Sequence, residues 1–557
     1  MLKKLLISLL FLHFPIISLN AQQFDWVTRA GGLEYDYGRT VAIGNDGDIF
    51  VGGYFGPDYA MFDTVQVWNM EYDDGFLARY DGETGELQWV RNIPSTSEIR
   101  VLDMAVDDQN NVTIIGDYSD VITFGAQDYE NNGFLDIFLA KYTPEGELLW
   151  SKAFGGYLME MGHALTLDAN GNILIAILFS GPMLIDSTEV TDVAYNDLLV
   201  AKFDPEGTLL WTQAYGGNGE ERPLGMEADT EGNIIVGGMF TQEFLFPDTT
   251  LHARGWYDGF VLKLDSLGEY QWARNIGGEY ALDSVNDVVT DSANRITIIG
   301  DIDVRWSIEE MAVPGHGAVD MGVVQLTPDG YMRWADAYGG LSYDGGHGLL
   351  TLPDNSLLIG GQFRDVAHFG SFEMTTDLNH FNIFLLQATS DGTVEWVVQA
   401  GNDASVDFLW EMAAHSTDAI YFTGTYDENT WIGEHYVRGY GYEDILIGKY
   451  SRTPPSGTVS VPTFLPTFNL STNYPNPFNA STTFQITSQQ TAHLQISIFN
   501  IRGEIVRILY SDELQPGTYT FQWDGRTEDG HVLPSSTYFL QAKTKSKTIN
   551  KKLLLLK

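Results

Sequence analysis

The 557-residue chain contains no cysteine. This absence excludes disulfides, thiolate metal sites, cysteine nucleophiles and attachment of a lipid through an N-terminal cysteine. Familiar enzyme signatures are missing as well, because no His-Glu-x-x-His motif, nucleophile elbow or phosphate-binding loop occurs. A chain of this length exceeds one ordinary core, so it predicts several domains or one large repeat assembly.

Basic residues are scarce. The chain has 30 Lys and Arg against 75 Asp and Glu, a net charge of −45, although the tail from Leu465 onward is slightly basic. Such a field repels nucleic acid phosphates and anionic membranes, which makes both unsuitable partners. It attracts cations and basic surfaces, but simple solubility outside the cell explains the same acidity.

Long hydrophobic runs are also scarce, with one exception at the N-terminus. Lys3 and Lys4 precede the apolar stretch "LLISLLFLHFPIIS", and Ala21 before Gln22 is a plausible cleavage point. This order predicts a signal peptide over residues 1–21, with a buried N-terminal helix as the alternative. No second run is long enough to span a membrane, so we expect an exported, soluble protein without a transmembrane anchor.

What the sequence does contain is a repeat of about 62 residues. One marker is a tryptophan that follows a short turn, as in "TPEGELLW" and "DPEGTLLW". A second marker opens a short apolar run, as in "DIFLAKY", and keeps the same spacing. The first series is Trp26, Trp89, Trp150, Trp211, Trp272, Trp334 and Trp396, and the second is Asp74, Asp136, Asp197, Asp258, Asp320, Asn382 and Asp444. Two independent markers with seven copies each indicate seven repeated units.

Each unit reads as four short strands. The segments "HALTLDANGN", "ILIAILF", "DLLVAKF" and "LLWTQAYGG" are rich in β-branched and aromatic residues, and Asp, Asn and Gly turns separate them. These are signals of an antiparallel meander, and helical periodicity is not evident. Four strands per unit, repeated radially, predict an all-β, seven-bladed β-propeller over residues 22–451.

The two ends of the repeat predict how the ring closes. The first unit begins with the tryptophan strand "FDWVTRAGG" and lacks the three strands that should precede it. The last unit ends after "EDILIGKY" and lacks its tryptophan strand. We therefore expect the strand around Trp26 to complete the blade built from residues 403–451, a velcro closure that leaves no exposed array ends.

The repeat pattern resembles that of a bacterial seven-bladed β-propeller repeat family across residues 24–451. The matching features are the tryptophan, the Gly-Gly link, the Asp-x-x-Gly-Asn turn and the "D-x-F-x-x-K" strand. Blades six and seven depart most, because "LPDNSLLIGG" and "HSTDAIYFTG" have lost the Asn-Gly turn. This resemblance implies an exported protein and leaves the ligand undefined.

The C-terminal region differs from the repeats. A proline-rich, weakly charged segment over 452–469 reads as a semi-rigid linker. Beyond it, "LQISIFN", "TYTFQWDG" and "TYFLQAK" predict the strands of a small Ig-like β-sandwich over residues 470–557.

This tail resembles the C-terminal sorting domain of the type IX secretion system of Bacteroidetes-like bacteria. The matching motifs are "NYPNPFN", "IFNIRGEIVRIL", "LQPGTYTFQWDGR" and the final "KKLLLLK". The resemblance implies recognition by the type IX secretion machinery, followed by removal of the tail or anchoring at the cell surface. An Ig-like module that merely caps the propeller is the alternative.

Alignment of the inner strands reveals an acidic position on the face that carries the longer loops, where binding usually resides. One carboxylate starts the inner strand in six of the seven blades, and Ile99 interrupts the series in the second. The ring consists of Asp36, Glu160, Glu221, Asp283, Asp344 and Asp407. It could hold Ca²⁺, because Ca²⁺ prefers oxygen ligands, and no other cofactor is predicted. The alternative is structural, with each carboxylate accepting backbone N–H bonds in its own loop.

Three residues further along each inner strand, the side chains differ from blade to blade. Two blades carry Leu102 and Leu224 there. The other five carry the predicted ligand-binding residues Arg39, His163, Asn286, His347 and Trp410. Inner strands start near the central channel of a propeller, so a mixed polar and aromatic lining is expected there. The two histidines could also act as acid–base groups or serve as wall residues.

The function predicted from the sequence is that of an exported, monomeric binding module at the cell surface or in the medium. Its partners would be the type IX secretion machinery through the tail and a surface protein or glycan through the propeller. The alternative is a secreted carbohydrate-active enzyme, a lyase or hydrolase, with its site in the propeller funnel. A structural component of a surface layer cannot be separated from the binding module on sequence. No catalytic residue is predicted.

Overall fold

The computed structural model describes residues 23–69, 72–192, 194, 196–279, 282–308, 311–376, 380–401, 405–416, 418–452, 468–470, 478–479, 481–488, 492–500, 505–515, 517–527, 531–543 and 548–556. The predicted signal peptide 1–21 and most of the predicted linker 452–469 lie outside these residues. The chain divides into two compact units, Met1–Pro455 and Ser456–Lys557.

In the described part of the first unit, the strands form seven groups of four antiparallel strands, which we call blades 1 to 7, and hairpin strands extend three of these groups into six-stranded sheets. From the inner to the outer strand they are: blade 1, Asp36–Ile43, Ile49–Phe55, Asp74–Tyr80 and Leu87–Ile93; blade 2, Ile99–Val106, Val112–Tyr118, Asp136–Tyr142 and Leu148–Gly156; blade 3, Glu160–Leu167, Ile173–Phe179, Asp197–Phe203 and Leu209–Tyr215; blade 4, Glu221–Ala228, Ile234–Phe240, Asp258–Leu264 and Tyr270–Ile276; blade 5, Asp287–Thr290, Ile296–Ile308, Met311–Leu326 and Met332–Gly340; blade 6, Gly345–Thr351, Leu357–Phe363, Asn382–Ala388 and Val394–Ala400; blade 7, Asp407–Ser416, Ala419–Ile432, His435–Ser451 and Gln23–Gly32.

Burial follows the order of strands in a blade. The second and third strands of blade 3, Ile173–Phe179 and Asp197–Phe203, are buried along their whole length, whereas the outer strand Leu209–Tyr215 is partly exposed throughout. A strand covered on both faces needs a continuous apolar run, which explains segments such as "ILIAILF". The core therefore lies between adjacent blades, and one hydrophobic cluster joins Leu198 and Val200 of blade 3 to Val236 and Leu262 of blade 4.

Ring closure is confirmed by the pairing of the first and last strands of the first unit. Gln23–Gly32 runs antiparallel to His435–Ser451, with Val27 opposite Gly448 and Ala30 opposite Ile445. Phe24 is buried against Tyr450, with ring centroids 5.3 Å apart. The first and last strands of this unit thus share one blade, and the ring is a closed seven-bladed β-propeller.

The repeated tryptophans hold neighbouring blades together. The indole Nε1 of Trp89 donates to the carbonyl of Pro144 at 3.0 Å, and that of Trp272 donates to the carbonyl of Pro328 at 3.1 Å. Each carbonyl belongs to the turn before the outer strand of the next blade. The turn glycine packs against the indole, as Gly330 does at a φ of +80°, where a side chain would be strained. This contact accounts for the recurring turn-plus-tryptophan motif.

The Trp272→Ala variant should lose about 3–5 kcal/mol of unfolding free energy, because it removes both a large buried side chain and an interblade hydrogen bond. Trp272 is 9% exposed, whereas Trp256 in the same repeat is 78% exposed. Trp256→Ala is therefore the matched control and should stay within about 0.5 kcal/mol of the unchanged protein in denaturant unfolding. Equal losses for the two variants would contradict the clamping role.

The long segments between second and third strands are β-hairpins, where the sequence predicted variable loops. Blade 1 inserts Asp58–Phe62 and Val65–Asn69, and the first of these pairs with the strand Gln23–Gly32 of blade 7. The other separate hairpins are Val121–Phe124 with Gln127–Glu130, Met183–Ile185 with Thr188–Val190, Glu243–Leu245 with Thr250–His252, and Val366–Phe369 with Phe372–Thr375. In blades 5 and 7 the second and third strands themselves extend into the hairpin. Backbone hydrogen bonds therefore order this face of the ring.

The second unit forms two antiparallel sheets in its described part. One contains Phe468–Leu470, Thr482–Ser488 and Gly517–Trp523, and the other contains Ile505–Leu514, Ala492–Phe499, Ser536–Lys543 and Thr548–Leu555. Phe484 and Trp523 of the first sheet share a buried cluster with Ile496 and Leu540 of the second. Two sheets packed over one core make the predicted β-sandwich.

Candidate functional site

The inner strand of each blade contains a β-bulge close to its start. In blade 1 the pairing with the second strand shifts between Gly38 and Thr40, so Arg39 is the extra residue. The same shift leaves Leu102, His163, Leu224, His347 and Trp410 as extra residues in blades 2, 3, 4, 6 and 7. In blade 5 the backbone N–H of Asn286 donates to the carbonyl of Ile299, and Ile299 also pairs with Asp287, so Asn286 is the extra residue. A bulge turns its extra side chain away from the ordinary strand alternation.

The seven bulge side chains meet in the central channel. They line one cavity of about 440 Å³, and all seven are partly accessible to water. The predicted ligand-binding residues Arg39, His163, Asn286, His347 and Trp410 are therefore brought together at one place. A cavity of this volume is within the range of small-ligand sites, roughly 300–1,000 Å³.

On the side formed by blades 5 to 7, the channel side chains hold one another. The side-chain amide of Asn286 donates to the Gly346 carbonyl at 3.0 Å. The His347 Nε2 lies 2.8 Å from the Gln362 Nε2, and its ring packs edge-on against Trp410 at 5.6 Å. Burial lowers the pKa of His347 to about 4, so this imidazole is neutral at pH 7.

On the side formed by blades 1 to 4, the channel is cationic. Arg100 forms a bidentate pair with Asp117, at 2.7 Å and 3.0 Å, and Arg222 lies 2.6 Å from Glu220. The guanidinium of Arg39 stacks over Trp410, 4.0 Å from the ring centroid. Burial and the three arginines together lower the pKa of His163 to about 3, which keeps that imidazole neutral.

A second set of carboxyls lies deeper in the channel, one residue after the bulge. Asp103 accepts the amide of Leu165 at 2.6 Å, Asp287 accepts that of Leu349 at 2.9 Å, and Glu411 accepts that of Val41 at 3.0 Å. Each bond crosses to the inner strand of the next blade. Burial raises the pKa of Asp103 to about 7 and that of Asp287 to about 8, and it also raises the pKa of Glu411.

The six carboxylates of the predicted acidic ring are buried near the starts of the inner strands. Asp36 accepts the amides of Gly32 and Gly56 at 2.6 Å and 3.1 Å, and Asp344 accepts those of Gly340 and Arg364 at 2.7 Å and 3.0 Å. Glu160 and Asp283 likewise accept an amide of the preceding Gly-Gly link, and Asp407 accepts the hydroxyls of Ser405 and Thr430. Glu221 lies beside the carboxyl of Asp197.

These contacts are the ones expected of the structural alternative. In the described part of the chain, no group of three or more His, Asp and Glu side chains is arranged for a metal ion. The Ca²⁺ site stays a prediction.

The acidic ring also approaches the repeat marker series that opens the third strands, to which Asp444 belongs. At the junction of blades 7 and 1, Asp36 and Asp444 converge on Gly31, whose φ of +146° and lack of a side chain leave room for both groups. Burial, with a contribution from the Asp444 charge, raises the pKa of Asp36 to about 8. Burial also raises the pKa of Asp444 to about 6. Because two charged carboxylates repel each other, one of them tends to hold a proton.

Sequence reasoning missed the arginines and the deeper carboxyls. Arg100 and Arg222 stand two residues before the bulge, and the inner strand of blade 4 alternates buried and partly exposed positions from Glu221 to Leu224. Period-two alternation would have placed residues 100 and 222 on the same side as the bulge residues. Asp103, Asp287 and Glu411 share one aligned position, but only three of seven blades carry a carboxyl there.

The chain is thus an all-β protein, a closed seven-bladed β-propeller followed by an Ig-like β-sandwich. A family model described as the FlgD Ig-like domain matches residues 474–548. A relative among curated proteins is the uncharacterized WD repeat-containing protein L264 of Acanthamoeba polyphaga mimivirus, which is 20% identical over 72% of this chain. The match covers 36% of that protein, so this chain spans about a third of its length.

Solved structures with some likeness are distant. YCF48 bound to a D1 peptide is 11% identical, with a TM-score of 0.36, over 80% of this chain and 99% of that one. PorZ, a surface component of the type-IX secretion system of Porphyromonas gingivalis, is 11% identical, with a TM-score of 0.14, over 95% of this chain and 100% of that one. Across the described residues, no helix has the length and apolar character needed to cross a membrane.

Proposed function

We propose that this protein is an exported binding module whose propeller channel takes a ligand from a surface glycan or protein. The ring supplies a rigid frame, and the seven bulges aim one side chain from each blade at a common space. Repeated scaffold positions keep the same residue types, whereas the channel positions differ from blade to blade. Rigid scaffolds with variable, convergent side chains are the usual construction of binding sites.

The observation that carries this proposal is the meeting of Arg39, His163, Asn286, His347 and Trp410 in one cavity. They come from five blades, and the repeat itself does not require these residue types, because Leu102 and Leu224 occupy the same position in blades 2 and 4. The side chains offer a cation, an amide, two imidazoles and an aromatic ring. Such a set recognises polar ligands through hydrogen bonds and ring contacts.

The alternative of a carbohydrate-active enzyme would have to use the channel carboxyls Asp103 and Asp287, whose pKa values are about 7 and about 8, because the histidines do not suit general acid catalysis. Both channel histidines have pKa values far below neutrality, about 3 and about 4. Neither can donate a proton as an imidazolium at pH 7, and general acid catalysis is most efficient when the pKa lies near the working pH. Neutral imidazoles remain suitable for hydrogen bonding to a ligand.

The binding proposal is tested by screening the full chain on a glycan array and against cell-envelope extracts, with and without Ca²⁺. We expect specific retention without turnover, and loss of that retention in the His347→Ala/Trp410→Ala double variant. A surface substitution in the same blade, Trp431→Ala, is the control, because that side chain is 49% exposed. Absence of any retained glycan or protein, or conversion of a polysaccharide, would overturn the proposal.

We further propose that the C-terminal Ig-like unit is a type IX secretion signal that delivers the propeller to the outer cell surface or the medium. The proposal is supported by the tail motifs "NYPNPFN", "LQPGTYTFQWDGR" and "KKLLLLK". In the sandwich, Phe478 of the first motif and Trp523 of the second pack together at 5.5 Å, so the motifs contribute to one core.

Deletion of residues 470–557 is expected to stop delivery to the surface while leaving the propeller folded in the periplasm, because the two units have separate cores. Surface labelling and immunoblots of cell fractions in a type IX-competent host would measure this. A shorter deletion that removes only the final seven residues, 551–557, is expected to block delivery as well. Normal surface delivery of the chain without 470–557 would contradict the proposal.

A further inference from the structure

The channel mouth carries positive charge in a protein whose net charge is −45. Arg39, Arg100 and Arg222 come from blades 1, 2 and 4, and all three guanidinium groups act electrostatically on His163 of blade 3. Arg100 and Arg222 are each held by a carboxylate, Asp117 and Glu220. Their charges are therefore balanced within the protein.

The charge of Arg39 is not balanced in this way. The residue is fixed by its stack on Trp410, and its Nε is enclosed with no hydrogen-bond acceptor in the described part of the chain. The carboxyl of Glu411 is nearby, but it accepts the amide of Val41, and burial raises its pKa well above the usual range. An enclosed guanidinium nitrogen without a hydrogen-bond acceptor is costly, and a ligand oxygen would supply that acceptor.

His163 adds a second group that lacks a partner. Its Nε2 is enclosed, and no hydrogen-bond partner is found among the described residues. The imidazole is neutral, so one of its nitrogens carries a hydrogen and can donate to an acceptor. Arg39 and His163 therefore leave a cationic fork and a neutral imidazole open toward the same cavity.

A groove beside the channel lies next to the part of the cavity that Arg39 and His163 line. It is lined by Tyr35, Tyr37 and Tyr54, by the acids Glu34, Asp73 and Glu98, and by Arg100, which is paired with Asp117. Tyr35 is 49% exposed and stacks on Tyr442 of blade 7, with centroids 5.2 Å apart. Exposed tyrosine faces offer flat apolar surface with a hydroxyl at the edge, and carboxylates accept hydrogen bonds from hydroxyl groups.

From these contacts we infer that the channel binds a saccharide with a terminal uronic acid, whose carboxylate is held by Arg39 and His163 while its neutral sugars lie along the tyrosine groove. This inference rests on the proposed binding function and names its ligand. A planar guanidinium binds a carboxylate through two parallel N–H bonds, and Arg39 is pre-oriented for this by Trp410.

The surroundings favour a saccharide with a single charge over an acidic peptide. A peptide with several carboxylates would meet repulsion from Glu34, Asp73 and Glu98 and from the acidic body of the protein. A neutral sugar chain with one terminal carboxylate avoids this repulsion, and its hydroxyls can donate to those same acids.

The experiment is calorimetric titration of the full chain with a disaccharide of glucuronic acid joined to a neutral hexose, compared with the matched neutral disaccharide. We expect the uronate to bind at least about tenfold more tightly, because it adds a charge-assisted bidentate contact. Arg39→Gln should remove this preference, and Arg39→Lys should retain part of it. Circular dichroism and the melting temperature verify that each variant is folded.

The matched control is Arg274→Gln, because Arg274 also stacks on a tryptophan, Trp272, at 5.1 Å but lies on an outer strand away from the channel. It should bind the uronate normally. Equal affinity for both disaccharides, or unchanged uronate binding by Arg39→Gln, overturns the inference. Binding of an N-acetylated glutamyl peptide in preference to the uronate overturns the saccharide assignment.

Failure of the proposed function would look different, since no glycan or envelope protein would then be retained on the arrays. Retention of a glycan that does not depend on Arg39 would leave the binding function in place and contradict only the uronate site.

Discussion

Raising the pH from about 5 to about 9 is expected to lower the melting temperature of the propeller by about 10 °C or more, an effect of several kcal/mol. The cause is the buried acidic ring. Burial raises the pKa of Asp36 to about 8, that of Glu221 to about 9, and those of Glu160, Asp283 and Asp344 to about 7. In the unfolded chain such carboxyls ionise at about pH 4.

The sign of the effect follows from proton counting. Between about pH 4 and the folded-state pKa values of about 7–9, the folded ring binds more protons than the unfolded chain, so the unfolding free energy falls as the pH rises. The turn carboxylates Asp107 and Asp168 act oppositely, because Lys141 and Lys202 help to lower their pKa values. Their contribution is lost below about pH 4, so stability should be greatest on the acid side of neutrality.

A conservative variant isolates the ring from the general acidity of the protein. Glu221→Gln keeps the side-chain shape, cannot ionise, and should raise the melting temperature at about pH 9 relative to the unchanged protein. The control Glu206→Gln removes an exposed charge and should leave the pH profile unchanged. Scanning calorimetry across the pH range measures both. A melting temperature that is flat or rises between about pH 5 and pH 9 would contradict the account.

Removal of residues 23–32 is expected to abolish the cooperative unfolding of the propeller. The deletion takes away the outer strand of blade 7, including buried Phe24 and Trp26 and the pairing with His435–Ser451. Loss of one large buried aromatic side chain costs about 3–5 kcal/mol of unfolding free energy. The loss of two of them together with a whole strand is therefore comparable to the total stability of a typical domain, about 5–15 kcal/mol. The truncated chain should lose its sharp thermal transition and aggregate.

Ring closure can also be tested without weakening the fold. Thr28 and Ile447 are paired across the closure, and the chain has no cysteine of its own. The Thr28→Cys/Ile447→Cys variant should therefore form an intramolecular disulfide under oxidising conditions, because paired residues on adjacent strands have suitable Cα separations. Thr28→Cys alone is the control and should remain a monomer with a free thiol. Failure of the pair to cross-link would argue against the closure.

Much of the fold could be predicted because each repeat carries redundant signals. The tryptophan, the Asp-type marker and the turn glycine are each required by a contact that recurs at nearly every blade junction, such as the one between Trp272, Pro328 and Gly330. Blade 7 shows the limit of the pattern. Its chain leaves after Ser451 without the outer turn, so Trp396 donates to Gln387 of its own blade instead.

The site could be predicted only in part. Aligned inner strands identified Arg39, His163 and Trp410 as neighbours, because one position in a closed ring faces one channel. The bulges that turn these side chains inward leave no sequence signal, since the extra residue is Arg, Leu, His, Asn or Trp. The hairpins within the long segments were missed, because strands of three to five residues such as Met183–Ile185 are too short for a clear alternation.

The most direct test is a crystal of the full chain soaked in bromide, with the anomalous signal used to locate bound anions. Arg39 and His163 should hold one bromide ion in the central channel, and crystals of Arg39→Gln should lack it. A channel without bromide, or one closed by side chains so that Arg39 reaches an internal carboxylate, would contradict the claim that seven bulges create an anion-binding site at the centre of the ring.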